Sequence, residues 1–319
     1  MLRQSIFALF VLLWSLPLWA GENDRVRPYP PQQVAKDIYV IHGPLGMPSV
    51  ANQGFMNNPA FVVTNQGVVV IDPGSSLQAG RMVVDQIRKI TPNPITHVLN
   101  THVHGDHWLA NHGIQESFPH AIIMGHPEMI AQARATQGEA WRKLIEQATQ
   151  GFTKGTQIVL PTVEITESTD LSIDGIQFKI FAPPHAHSGT DIMFYLPHYQ
   201  LLFTGDNVMN ARLGRADDGD FAGNIAACEV ALKLPVKVIV PGHGVTGGKE
   251  VITHYKGYLE TLLSSVKRLY ETDEFMEAHQ MKPHVLKDLA PYAHWVDFHT
   301  VIGKHISLAR SAVEAASFE

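Results

Sequence analysis

Residues 99–111 read LNTHVHGDHWLAN, so His102, His104, Asp106 and His107 crowd one turn directly after an apolar run that predicts a strand. In an extended chain, residues two apart point to the same side, which lets the imidazoles of His102 and His104 converge on one cation. Gly105 lets the backbone bend, and Asp106 and His107 beyond it diverge toward a second cation. Further ligands should lie just past strand ends or in Gly/Pro-rich turns beside them, because ligands of α/β sheets collect beyond one end of the strands. The residues that qualify are His185 and His187 in APPHAHSGTD, Asp206 closing LLFTGD, and His243 in VIVPGHG. His42, His97, His112, His120, His126, His198 and the six histidines from His254 to His305 read as surface or internally satisfied groups. His185 stands between these classes, as a pocket residue or a partner to a ligand.

A divalent ion lowers the pKa of bound water from about 15.7 to about 7, and a close pair can also polarise the oxygen under attack. Such a centre needs no side-chain nucleophile. The chain accordingly carries no G-x-S-x-G elbow, and its single cysteine, Cys228 in NIAACEVALKL, reads as a small buried side chain.

The elements around these residues follow from pattern. FVVTNQGVVVI (61–71) predicts a hairpin, AGRMVVDQIRKI a helix with Met82, Val83, Ile87 and Ile90 on one face, and THVLN a strand, together a βαβ unit. Residues 127–150 predict a helical cover interrupted near Gly138. IQFKIFA, DIMFYLP, LLFT and VKVIV are short strands, with a helix around 223–234 before the last. Two βα halves with outer helices imply a layered α/β architecture. From Lys249 the apolar stripe Ile252, Tyr255, Leu259, Leu262, Val266 and Leu269 marks a helical tail, which Pro283 and Pro291 are expected to divide. The tail could cover the pocket, with Trp295 and Phe298 reaching it, or pack into a homodimer.

Of the 319 residues, 45% are hydrophobic and 17% charged, which is globular composition, and the formal charge of −6 with dispersed Lys and Arg gives no phosphate-binding stripe. The expected partner is a small molecule, not nucleic acid. Residues 1–20 combine Arg3, an apolar run from Ile6 to Trp14 and a small residue at Ala20, the order of a signal peptide. The mature chain would then start near Gly21 and be periplasmic or secreted, with no membrane attachment after cleavage. A lone cysteine leaves stability to packing or to metal.

Thr101 to His107 matches THxHxDH, and together with VVVIDPG, AHSGTDIMFYLP, LLFTGDNV and VPGHG it resembles the metallo-β-lactamase superfamily over roughly residues 34–248. The resemblance implies a four-layer αββα sandwich over 21–248, followed by a helical extension over 249–319. It implies one metal on His102, His104 and His187, another on Asp106, His107 and His243, and Asp206 bridging both. His187 is preferred to His185 because Ser188 and Gly189 follow it. The implied activity is exported, binuclear hydrolysis of an ester, thioester, lactone or related bond by metal-bound hydroxide, with Asp106 as the catalytic carboxylate. The expected ions are Zn2+, with Fe or Mn as alternatives at a site this rich in oxygen donors.

Asp206 stands where many true β-lactamases have cysteine, and Met209 where they have a carboxylate-gripping lysine, which weighs against a β-lactam amide substrate. The Asp bridge is similar to the glyoxalase II-like branch, and the overall layout to exported zinc hydrolases associated with quinoproteins. A mononuclear iron oxidoreductase of persulfide dioxygenase type is a rival on the same scaffold, as is a non-catalytic metal-binding accessory protein. Arg212 and Arg215 are candidates for holding an anionic substrate tail, against a reading as solvated charges beside Asp217, Asp218 and Asp220.

Overall fold

The structure, a computed structural model, describes residues 24–318, so the expected leader at 1–20 lies outside the described residues. The first half of the chain runs β1 (Gln32–Ala35), β2 (Ile38–Val40), β3 (Ala60–Val63), β4 (Val68–Ile71), α1 (Leu77–Ile90), β5 (Ile95–Leu99), α2 (Gly105–Trp108), α3 (Asn111–Ser117) and β6 (Ile122–Gly125). It continues through α4 (Pro127–Gln132), a π-helical turn (Ala133–Gln137), α5 (Gly138–Ala148) and β7 (Val163–Glu164). The second half runs β8 (Leu171–Ile173), β9 (Ile176–Phe181), β10 (Met193–Leu196), β11 (Leu201–Phe203), α6 (Phe221–Lys233) and β12 (Val238–Val240). Three helices close it: α7 (Lys249–Thr272), α8 (Ala278–Asp288) and α9 (Phe298–Ala316).

Strands β1 to β7 form one sheet in sequence order, antiparallel through β4 and parallel from β4 to β7. The second sheet has the order β12-β11-β10-β9-β8, with β12 parallel to β11 and the other pairs antiparallel. Ile38, Val40, Val62, Val69, Ile71 and Leu99 from the first sheet meet Phe178, Ile180, Phe194, Leu196, Phe203 and Val240 from the second, making an apolar layer between them. On the outer side of the first sheet, Val68, Val70 and Val98 pack on Met82, Val83 and Ile87 of α1 and Ile114 of α3. On the outer side of the second, Met193, Tyr195, Leu202 and Ile239 share a core with α6, α7 and α9. This is the expected αββα layering, and since the central strands β4, β10 and β11 are buried on both faces, they read as unbroken hydrophobic runs.

Local chemistry sets the ends. Ser76 caps α1 by accepting the Ala79 N–H at 3.1 Å, and Arg88 and Lys89 face the negative end of its dipole. The interruption expected near Gly138 is the π-helical turn just before it. Pro283 does not divide the tail, since it lies inside α8, where only one backbone bond is forfeited; the breaks fall at Asp273–Glu277 and at Leu289–Asp297, the second of which contains Pro291 as expected. Strands β1, β2, β7 and β8 have no counterpart in the sequence reading. β1 and β7 are largely exposed edge strands, and none of the four exceeds four residues, too short for periodicity to register.

In α9, the buried His305 donates Nε2–H to Gly214 O (3.0 Å) and accepts the Tyr258 hydroxyl at Nδ1 (2.7 Å). Burial pushes its pKa down to about 4. Between pH 6.5 and 4 the unfolded chain therefore binds more protons at this residue than the folded one, so stability falls as pH drops through that window, by up to about 3 kcal/mol. His305→Gln is expected to flatten the slope of unfolding free energy against pH over this range. Identical slopes in urea titrations of the two proteins would contradict the assignment.

Candidate metal centre

Of the eight side chains that spacing and strand ends single out, the seven that the resemblance implies as ligands converge in the structure, and His185 does not. His102, His104, His187 and Asp206 offer ligand atoms within 4.8 Å of one another, and Asp106, His107 and His243 do the same. The contributing segments follow β5, precede β10, follow β11 and follow β12, so each sheet supplies part of the cluster. Asp206 joins the sets: its Oδ1 is 3.1 Å from His107 Nε2, and its Oδ2 is 3.2 Å from His243 Nε2 and 3.6 Å from His187 Nε2. Asp106 Oδ2 lies 3.2 Å from His243 Nε2.

Asp72, at the turn after β4, aims two of these rings. Its Oδ2 accepts the Thr101 hydroxyl (2.6 Å) and His107 Nδ1–H (2.8 Å), while its Oδ1 accepts the Thr101 backbone N–H (2.8 Å). Because the Thr101 proton is committed to Asp72, its oxygen accepts His102 Nδ1–H at 2.9 Å. Both rings are thereby held in the tautomer that leaves Nε2 bare. On the opposite wall, His104 Nε2 bonds Asp218 Oδ2 at 3.0 Å, which turns His104 Nδ1 toward His187 Nε2, also at 3.0 Å.

Do these residues fit a pair of ions? His102 Nε2 is buried with no hydrogen-bond partner, and His107 Nε2 and Asp206 Oδ1, though 3.1 Å apart, are not aligned for a hydrogen bond, an arrangement that costs free energy unless a cation fills it. The nitrogen and oxygen donors, with no thiolate, suit Zn, Fe or Mn. The two clusters could hold two metal ions.

Charge within the cluster points the same way. Burial, reinforced by His107 and His104, holds the His102 imidazole far below its usual pKa, and burial pushes His187 down to about 3, so both present lone pairs at neutral pH. For Asp106 and Asp206, burial favours the neutral acid, but the neighbouring His107 and His243 outweigh it and keep both carboxylates ionised. Burial also works against a charged His107 or His243, and there the facing carboxylates, led by Asp206, prevail and raise the pKa. A cation would take over the role those protons play.

His243 Nδ1 is 2.8 Å from Met56 O and 2.6 Å from Arg212 Nη1, and it can serve only one of them. The ligand-competent tautomer donates Nδ1–H to Met56 and releases the guanidinium. Arg212 is buried rather than solvated, with Asp297 Oδ2 3.4 Å from its Nε. Arg215 lies 5.3 Å over the Trp141 ring and pairs with Asp217 at 3.4 Å. A cavity of about 400 Å³ opens on the cluster, lined by Met47, Pro48, Met56, Trp141 and Leu144 together with Arg212 and Arg215.

Three expectations change. Trp295 and Phe298 do not reach the cavity: Trp295 lies among Tyr255, Tyr258 and Tyr292, and Phe298 is in the core beneath α9. The cavity's aromatic residue is Trp141, whose ring centroid is 4.9 Å from that of His104. His185 stays outside the cluster, exposed, with Nε2 on Asp218 O at 3.0 Å. Gly105 opens a short helix without a positive φ, and it is required for space, since a Cβ there would lie 2.5 Å from Trp141 Cβ. Cys228 is buried as expected, with its thiol pushed up to about 12 by burial. Asp72 and Asp218 escaped the sequence reading; the positive φ of Asp72 (49°) is a structural signal the sequence does not carry.

At Gly242 a Cβ would stand 1.9 Å from Asp206 Oδ1. Gly242→Ala is therefore expected to displace the shared carboxylate and reduce metal retained after dialysis to less than half of wild type, as read by elemental analysis; full retention would refute it.

A family model described as the metallo-beta-lactamase superfamily matches residues 53–243, which include all seven converging residues. The chain belongs to that superfamily. Among its relatives are a probable metallo-hydrolase of Streptococcus pyogenes, 25% identical over 59% of this chain and 78% of that protein, and a metallo-beta-lactamase type 2 of Bacillus cereus, 23% identical over 70% and 79%. A probable hydroxyacylglutathione hydrolase of Schizosaccharomyces pombe is 27% identical over 57% of this chain and 60% of that one. Solved structures agree on the fold. The metallo-beta-lactamase from Pontibacter korlensis has a TM-score of 0.57 at 19% identity, covering 72% of this chain and 98% of its own. A sec-alkylsulfatase from Pseudomonas sp. has a TM-score of 0.60 at 17% identity, covering 79% and 44%. These relatives support a metal-dependent hydrolase at the level of the superfamily.

Proposed function

We propose that this superfamily member is an exported binuclear hydrolase of an ester, thioester, lactone or related bond in a small anionic substrate. The observation that carries the reading is the pair of donor sets joined by Asp206, with bare nitrogens aimed at a common centre. Divalent ions held there by His102, His104, His187, Asp206, Asp106, His107 and His243 would supply Lewis acidity and a water ionised near neutrality. Export rests on the composition of residues 1–20.

The chain's own groups account for the rest. Asp106, kept ionised and lining the cavity, orients the attacking water, accepts the proton released on attack and passes that proton to the leaving group. Arg212 offers its Nη hydrogens to an anionic substituent, and Arg215 at the rim offers a second cation. Met47, Leu144 and Trp141 cover an apolar portion and exclude water. Met209 is buried and bridges to His243, so the position held by a carboxylate-gripping lysine in many true β-lactamases carries no cation here, and the cavity's cations are Arg212 and Arg215 instead. That observation favours esters, thioesters and lactones over β-lactam amides.

The test is a metal count on the exported protein, followed by a panel of anionic esters, thioesters, lactones, sulfates and β-lactams. Two zinc ions per chain and turnover of an acyl ester, thioester or lactone are expected. One iron with oxygen consumption would establish the oxidoreductase reading instead, and a metal-loaded protein inert toward every compound would establish an accessory role.

A further inference from the structure

The segment Ala211–Asp218 touches the cluster on one side and the tail helices on the other. Toward the cluster it delivers Asp218, whose Oδ2 is the partner of His104 Nε2 at 3.0 Å. Toward the tail it is held by backbone and by buried side chains. Leu213 N–H donates to Val296 O, and Val296 N–H returns to Ala211 O, both at 3.0 Å. His305 of α9 donates to Gly214 O and is itself fixed by the Tyr258 hydroxyl of α7. Lys304 adds an exposed contact to Asp217 at 3.1 Å.

We propose that Asp218 is a positioning residue for His104, and that α7 and α9 set the affinity of the His102–His104–His187 ion through this segment. The inference rests on the proposed reading that the cluster holds two ions. His104 has its Nδ1 facing His187 Nε2, so its Nε2–H needs an acceptor on the far side, and Asp218 supplies it. A carboxylate there fixes both the tautomer and the ring plane, and loss of such a partner typically weakens metal binding by 10- to 100-fold. The carboxylate is 36% exposed and sits on an irregular stretch, so its place is fixed by what holds that stretch. That hold is Gly214 on His305 and the backbone bonds that Leu213 and Ala211 make with Val296. The helical tail, outside the residues matched by the superfamily model, thereby becomes part of the machinery that shapes one ion site.

The experiment titrates zinc into the full apo chain against a chromophoric chelator, without substrate, and resolves the two binding steps. Asp218→Asn is expected to weaken one step by about 10- to 100-fold and leave the other within about twofold. His305→Ala should weaken the same step in the same direction by a smaller factor, and Asp218→Glu should restore part of the loss. Unfolding midpoints are recorded for each variant. Wild-type affinity in Asp218→Asn, or equal weakening of both steps with a lowered midpoint, would overturn the positioning role. Loss in Asp218→Asn with none in a folded His305→Ala would overturn the link to the tail. A wild-type chain that binds no zinc would instead refute the two-ion reading itself.

Discussion

Asp106→Asn is expected to reduce kcat/KM by about 10²- to 10⁴-fold, the range that positioned acid-base groups contribute. Asn keeps the shape of the side chain and one oxygen while removing the charge that His107 and His243 hold in place. The fold should survive, because Asp106 sits on the four-residue helix α2, whose Trp108 is anchored independently by Nε1–H to Val103 O at 2.8 Å. Steady-state rates and metal content must be measured together. A variant with wild-type metal content and a rate within threefold of wild type would remove Asp106 from the chemistry, whereas joint loss of metal and rate would make it chiefly a ligand.

Removal of metal is expected to lower the unfolding midpoint by on the order of 10 °C. Ligands that bind only the folded state stabilise it by about 4 kcal/mol at a thousandfold excess over Kd, and a chain longer than about 250 residues shifts by roughly 2 °C per kcal/mol. The cluster draws His102, His104, Asp106 and His107 from the first sheet, and His187, Asp206 and His243 from the loops of the second. Ions bound there would tie the two halves of the sandwich together in a chain whose single cysteine precludes an intramolecular disulfide. Calorimetry of chelated and zinc-reconstituted protein checks this; superimposable transitions would show that the cluster adds nothing to stability.

A layered α/β architecture and a candidate list containing the seven converging residues were legible from short-range rules, while the choice of His187 over His185 and the four-layer order came from the resemblance. Buried strands read as apolar runs, and ligands gather where such runs end in Asp, His or Gly. The missed residues work over distance. Asp72 reads as an ordinary turn residue in Asp-Pro-Gly until the structure places it against Thr101 and His107, 29 and 35 positions away. Trp141 reads as part of a helical cover, and only the fold of α5 over α2 brings it to His104. Arg212 was legible as a candidate anion-holding residue, but its charged neighbours left a solvated loop equally open, and only the bridge to Val296 shows that it is drawn inside. Trp295 and Phe298 failed for the complementary reason: the tail turns its apolar side inward on the second sheet.

Asp72 also meets two demands that rarely coincide. Its backbone occupies the left-handed region at φ 49°, which tolerates Gly and Asn better than longer side chains, while three donors require two charged oxygens on a short stem. Glycine would satisfy the torsion and abandon the donors; asparagine would keep the torsion but turn an amide N–H toward one of them; glutamate would keep the charge and overshoot. Aspartate alone meets both conditions, and because it governs a histidine in each ion set, no change at this position can retune one ion while sparing its neighbour.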